Sequence, residues 1–278
     1  MTRRHVRQLL CATVALGLLG VGGTASASAA TISAAASAAT TSAAHATPAV
    51  AACTLDTAAH GLAGSPVAGS LLSVPRADGR VDEFQLFYDS TATGGLPFVW
   101  HRGQSTPGGA YGPWTRVSAA TVGPKAPYVT AAENTQGRIE LLFATYGQFC
   151  HVVEVDRHGW TAPEPFGLAP GPYMGGVVLF KERDGSLDAF ASTTAAGRSM
   201  EVRTQRSPSP EWGPAQSMGK VPDLNVGLSR PSTVTELPDG RLHVTVREWN
   251  RDRYWQNTQL AAHGTWGAWE LCGNAQCT

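Results

Sequence analysis

Charge is scarce in this chain: 15% of its 278 residues are charged, and the 21 basic groups are matched by 21 acidic ones. With no basic excess to neutralise phosphates, recognition of nucleic acid by bulk charge is excluded. Aromatic residues make up only 8%. The longest apolar stretch, Leu9–Val21, has 13 residues, too few to span about 30 Å of hydrocarbon as a helix. No C-x-x-C pair, H-E-x-x-H, G-x-S-x-G or P-loop occurs, so zinc, thiol-redox, serine-hydrolase and nucleotide chemistry have no motif to rest on. What the chain has in quantity is glycine, 31 residues, and proline, 18, the composition of a turn-rich, all-β protein.

The N-terminus reads as an address. Arg3, Arg4 and Arg7 precede the apolar stretch, and Ala25, Ala27 and Ala29 follow it with A-x-A spacing, the three parts of an export signal over residues 1–30. Arg3-Arg4 also fits the twin-arginine pattern, and Sec and twin-arginine routes stay open. Residues 31–52 are almost wholly Ala, Ser and Thr, with too little apolar bulk for a core, and read as a disordered spacer. The domain is expected over residues 53–278, secreted and extracellular. Cys53, Cys150, Cys272 and Cys277 then lie in an oxidising compartment and are disulfide candidates, with three connectivities open.

Internal repetition carries the fold. Asp78-Gly79-Arg80, Gln136-Gly137-Arg138, Asp184-Gly185-Ser186 and Asp239-Gly240-Arg241 recur at intervals of 58, 48 and 55 residues. Each precedes a short strand-like run: VDEFQLF, IELLFA, LDAFA and LHVTV. Asp-Gly between such runs predicts hairpins with type I′ turns. A second marker keeps step, with Tyr111, Trp160, Trp212 and Trp266 at intervals of 49, 52 and 54. Two markers in phase favour a β-propeller of about four four-stranded blades over a β-sandwich. The blades are expected at 64–120, 123–168, 172–219 and 227–273. The leading aromatics, with Trp114 and Trp269, are expected at blade-to-blade contacts.

The order of DG-R turn, apolar run, polar-aromatic strand and W-G-x-W resembles the tachylectin-like and PLL-type β-propeller lectins over most of residues 64–273. The resemblance implies a propeller that binds sugars without a catalytic cofactor. This chain departs from the family in having fewer blades. Its middle strands also differ, with Trp100-His101-Arg102, His151-Val152-Val153, Glu201-Val202-Arg203 and Trp255-Gln256-Asn257 at corresponding places, so four equivalent sites are not expected.

Variable loops on a repeated scaffold are where binding resides, which points to the face opposite the DG turns. Sugars need an aromatic platform beside hydrogen-bonding groups. Trp249, Tyr254 and Trp255 are candidate platforms, and Arg251, Asp252, Gln256 and Asn257 candidate hydrogen-bonding partners. Trp100 and Arg102 form a second set beside His101. The function so read is non-catalytic recognition of cell-surface or cell-wall glycans, with no metal, cofactor or membrane span. A secreted protein partner is the first alternative. The second is a propeller glycoside hydrolase, for which Asp82, Glu83, Glu140, Asp188, Glu201 and Glu248 supply carboxylates. On this reading the chain is not an enzyme.

Overall fold

In a computed structural model, the described residues are Cys53, 64–88, 95–118, 120, 122–123, 128–145, 148–156, 159–168, 176–193, 199–224 and 227–273. The expected signal and spacer, residues 1–52, lie outside them, as does Cys277. The described residues contain no helix and form four antiparallel sheets arranged as a four-blade β-propeller.

Blade 1 is β1 (Leu72–Pro75), β2 (Val81–Tyr88), β3 (Pro97–Gly103) and β4 (Thr115–Arg116), hydrogen-bonded in that order. Blade 2 is β5 (Val129–Glu133), β6 (Ile139–Ala144), β7 (Phe149–Asp156) and β8 (Gly159–Trp160), with β9 (Glu164–Pro165) also on β7. Blade 3 is β10 (Val177–Lys181), β11 (Leu187–Thr193), β12 (Ser199–Gln205) and β13 (Gln216–Lys220). Blade 4 is β14 (Leu228–Glu236), β15 (Leu242–Glu248), β16 (Tyr254–Thr258) and β17 (Glu270–Leu271). The four blades follow the expected order, and β13 runs one residue past the expected limit of blade 3.

The DG turns differ in type from the expectation. A type I′ turn needs positive φ at both central residues. Here the glycines Gly79, Gly137, Gly185 and Gly240 have φ of 72–89°, while the residues before them do not have positive φ. Each glycine N–H donates to the carbonyl three residues back, as Gly79 does to Arg76 at 3.0 Å, and Arg76 N–H then pairs with Arg80 O at 2.8 Å. That is a type I turn closed by a glycine bulge. Asp78 stabilises it by accepting the Arg80 N–H at 3.1 Å, an alternative that the Asn-Gly logic of a two-residue loop leaves out.

The core lies at the seams between blades. Phe84, Leu86 and Val99 of blade 1 meet Ile139, Leu141, Phe143 and Val152 of blade 2. Leu142 and Phe149 of blade 2 meet Val177, Ala189 and Ala191 of blade 3. Phe190 and Met200 of blade 3 meet Leu242, Val244 and Val246 of blade 4. Strand β6 is buried at all six positions because it serves two seams, as a strand covered on both faces must be. Strand β15 alternates instead: Leu242, Val244 and Val246 face blade 3, and its other face carries His243, Thr245 and Arg247. Among the described residues no apolar cluster joins blade 4 to blade 1.

Of the leading aromatics, Trp160, Trp212 and Trp266 serve the seams, as does Trp269, whereas Tyr111 and Trp114 stack on Arg102 of their own blade. Trp160 meets Phe84 and His101 edge-on, Trp212 meets Phe166 and His151, and Trp266 meets Phe190, with centroids 4.9–6.2 Å apart. Cys53 is bonded to Cys150 on β7. Cys272 is also disulfide-bonded.

Candidate functional site

One polar pattern repeats at the DG-turn end of every blade. Naming the four strands of each blade A to D in chain order, the second residue of each B strand (β2, β6, β11 and β15) is Asp82, Glu140, Asp188 or His243. Asp82 meets His101 Nε2 at 2.5 Å, Glu140 meets His151 Nε2, Asp188 accepts from Thr204 Oγ1 at 2.6 Å, and His243 Nδ1 lies 2.8 Å from Thr258 Oγ1. On the C strands, Gln104, Glu154 and Gln259 accept the first N–H of their B strands at 2.8–3.1 Å. These bonds satisfy backbone donors where each hairpin opens.

At the blade 1–blade 2 seam this pattern becomes a charged cluster. Arg76, in the turn after β1, bonds Asp82 through Nε, Glu154 of blade 2 through Nη2 at 2.7 Å, and the Gly137 carbonyl through Nη1 at 3.1 Å. The side chains of Arg76, Asp82, His101 and Glu154 are only 4–6% exposed. Burial alone would lower the Arg76 pKa, but its bonds to Glu154 and Asp82 outweigh that and raise it. Burial likewise pushes the Asp82 carboxyl up, and the hydrogen bonds from His101 and Arg76 more than reverse this, so it stays ionised below the usual range.

Two cavities open on either side of Arg76. One, of about 320 Å³, is lined by Asp82, His101, Glu154 and the guanidinium-bearing Arg76, Arg80 and Arg102. The other, of about 370 Å³, runs past Asp78, Glu133 and Arg138. An ionised Asp82 fixes the proton on His101 Nε2, which leaves Nδ1 as the basic nitrogen of the neutral ring. The first cavity therefore combines two carboxylates, an oriented imidazole and a cationic rim.

Gly103 is what allows the Asp82–His101 contact. A Cβ there would lie 2.5 Å from Asp82 Oδ1 and 3.6 Å from His101 Nε2. Gly103→Ala is expected to displace the carboxylate, with a stability loss of about 1–3 kcal/mol from the disturbed buried network. The check is a urea midpoint beside the NMR signals of the His101 ring, which should shift in the variant.

A second buried cluster lies between blades 3 and 4. Glu182 and Asp188 share a hydrogen bond, Arg206 approaches both, and His263 of blade 4 lies 3.4 Å from Glu182 and 3.5 Å from Asp184. Burial, and then the bond to Glu182, push the Asp188 carboxyl up to about 8. Two carboxylates in direct contact leave no room for a glycosidic bond, which needs them about 5 Å or more apart, so this pair is structural. Because the folded state holds a proton that the unfolded state releases near pH 4, stability should fall as pH rises from about 4 to 8. Urea midpoints across that range should show this slope in the wild type and lose it in Asp188→Asn.

The nine ligand-binding candidates do not converge. Trp255 is buried in the blade 3–blade 4 core with Trp269. Asn257 is buried too, donating to the Met218 and Gly267 carbonyls at 3.1 Å. Trp249 and Tyr254 are half-buried, while Arg251 and Asp252 are exposed at the hairpin tip. Gln256 is half-buried at the centre of β16 and lines a cleft. Trp100 is buried against Phe87 and Phe98. Arg102 grips Glu83 at 2.6–2.7 Å, stacks on Tyr111 and Trp114, and lines the 320 Å³ cavity. Of the candidate carboxylates, Asp82 joins this cavity, Glu83 holds Arg102, Glu140 binds His151 and Gln205, and Glu248 lies buried beside Arg253. Much of the face opposite the DG turns lies outside the described residues.

Sequence reasoning missed Arg76 and Glu154. Their signal is positional: Asn134, Glu182 and Leu237 stand where Arg76 does, and Gln104, Gln205 and Gln259 where Glu154 does. A charge pair that breaks the repeat at two places marks the blade 1–blade 2 seam.

No family model matches the chain, and no curated protein matches it. Solved structures do. The NanB sialidase of Streptococcus pneumoniae is 9% identical, with a TM-score of 0.53 over 81% of this chain and 54% of its own. An arginine-to-alanine mutant of AofleA from Arthrobotrys oligospora is 15% identical, with a TM-score of 0.51 over 74% and 57%. A protein of unknown function from Dyadobacter fermentans is 10% identical, with a TM-score of 0.52 over 76% and 70%. The chain thus spans little more than half the length of the sialidase and of AofleA. At these identities the likeness is one of fold, and it singles out no tachylectin-like or PLL-type family. The expectation that the chain is not an enzyme is overturned by this finding, since the architecture from which a binding-only role was read is shared with a sialidase: the chain is similar in fold to glycan-active propellers, catalytic ones included.

Proposed function

We propose that this chain is a carbohydrate-active enzyme of the propeller-hydrolase kind, and that the blade 1–blade 2 cavity is its active site. The observation that carries the reading is the buried Arg76–Asp82–His101–Glu154 cluster opening on a cavity rimmed by Arg80 and Arg102. His101, its Nε2–H held by Asp82, takes a proton from the attacking water at Nδ1 and passes it to the leaving oxygen. Glu154 supplies the second carboxylate, and the arginines favour an acidic sugar. The similarity of fold to a sialidase supports the glycan class of substrate.

We infer export as well. The Cys53–Cys150 bond supports an oxidising compartment, and no described helix is long and apolar enough to cross a membrane. Residues 1–30 then act as the signal and 31–52 as the spacer, and the substrate is a surface or wall glycan.

The test is hydrolysis of a panel of uronic- and sialic-acid oligosaccharides, followed by reducing-end release. His101→Gln should lower kcat at least about a hundredfold, and Arg102→Gln should act mainly on KM. Turnover that survives in His101→Gln at wild-type rate rejects this cavity as the active site.

A further inference from the structure

The 370 Å³ cavity on the far side of Arg76 takes no part in the reaction proposed above, yet it shares a wall with the cavity that does. Arg76, Arg80 and Glu154 line both. Side chains border two cavities in common only where the cavities adjoin, so a ligand lying across this boundary occupies both. Each volume is at the lower end of the roughly 300–1,000 Å³ of small-molecule sites and suits one substituted ring. Glu154 stands at the boundary, where the bond between two such rings would lie.

The far cavity offers a ring different chemistry from the near one. Its arginines at the boundary are engaged: Arg76 with Asp82, Glu154 and the Gly137 carbonyl, and Arg80 with Asp78 and the Gln104 carbonyl. Arg138 is half-buried and donates to Gln136 Oε1 at 2.6 Å. Glu133 accepts the Ala77 N–H at 2.8 Å and meets Lys181. What stands open to solvent is carboxylate. The Asp78 side chain is 49% exposed in the blade 1 turn, and Asp156 is exposed at the end of β7 in blade 2. The two belong to different blades, and both line the cavity. Hydrogen bonds from the Arg80 side chain and backbone hold the Asp78 carboxyl below its usual range, so it stays ionised. An ionised carboxylate only accepts: it takes hydroxyl donors and repels another carboxylate. The exposed Ala77 and Val155 add an apolar edge.

We propose that the substrate is a glycan in which an acidic sugar is linked to a neutral one, with the acidic ring in the cavity of His101 and Arg102 and the neutral ring in the far cavity. The inference rests on the hydrolase reading and names its substrate as a pair of unlike rings. The experiment is calorimetric titration of His101→Gln, which spares its ligand, run beside reducing-end release by the wild type. The probes are methyl glycosides of glucuronic and sialic acid, each alone, each linked to galactose, and each linked to a second copy of itself. For the acid that binds, galactose should tighten binding at least about tenfold, and a second acid should not. Ala77→Trp, added to fill the far cavity from an exposed position, should remove that gain and leave binding of the single ring unchanged. Asp156→Asn should admit the second acid at least about tenfold more tightly. The proposal is overturned if galactose adds nothing, if its gain survives Ala77→Trp, or if the second acid binds as well as galactose or is refused equally in Asp156→Asn. A galactose gain without turnover by the wild type sinks the hydrolase reading and keeps the two-ring site. Turnover without the gain does the reverse, and binding of none of these probes rejects both.

Discussion

Arg76→Met is expected to destabilise the protein by about 3–5 kcal/mol, because it leaves the Asp82 and Glu154 carboxylates buried without the cation that neutralises both. The pair of acids is expensive in a way that the intact cluster hides. With Arg76 present, the depressed Asp82 pKa contributes stability above the unfolded value near 4, and that contribution is lost as pH falls through the folded pKa. In Arg76→Met the Asp82 carboxyl loses the cation that offsets its burial, so its protonation becomes less costly and the variant should lose less stability on acidification than the wild type. Replacing all three charges, as Arg76→Met with Asp82→Leu and Glu154→Leu, should recover most of the loss, as apolar substitutes for buried ion clusters do. Urea unfolding at about pH 5 and about pH 8, on either side of neutrality, separates these outcomes. A single variant that unfolds within about 1 kcal/mol of the wild type (a small fraction of the ~3 kcal/mol floor,) would mean that water already reaches the cluster.

The blade pattern was legible because two constraints repeat in every unit. The turn glycine must adopt positive φ, and in blades 2 to 4 the leading aromatic covers the preceding blade, so both leave a periodic mark. Turn type was not legible, since the Asp78 side chain bonds the turn backbone in a way that Asp-Gly composition alone does not reveal. The site was harder still. Trp255 reads as a platform within an aromatic-polar run, yet strand alternation turns it and Asn257 toward blade 3. Arg76 stands 78 residues from Glu154, and no local pattern joins them. Only comparison between repeats marks both as exceptions. Cys150 and His151 did follow alternation: Cys150 bonds Cys53 in the first seam, while His151 turns to Glu140.

The second large effect concerns that disulfide. Cys53–Cys150 closes a loop with a sequence separation of 97, which encloses the whole of blade 1. Constraining so long a loop in the unfolded chain is worth about 5 kcal/mol on the chain-entropy model. Both sulfurs lie in the core of the blade 1–blade 2 seam, so the bond also clamps the two blades that form the candidate active site. Cys53→Ala with Cys150→Ala should therefore lower Tm by roughly 10–20 °C, and wild-type protein held reduced, which also loses the Cys272 bond, should melt no higher than the variant. Alanine is preferred to serine because a hydroxyl buried at position 150 would add its own desolvation cost. Thermal inactivation of glycan hydrolysis should shift by the same interval, since opening this seam separates Glu154 from Arg76. If the melting point falls but the inactivation temperature does not, the seam stays closed while the rest unfolds, and the disulfide acts on another part of the propeller.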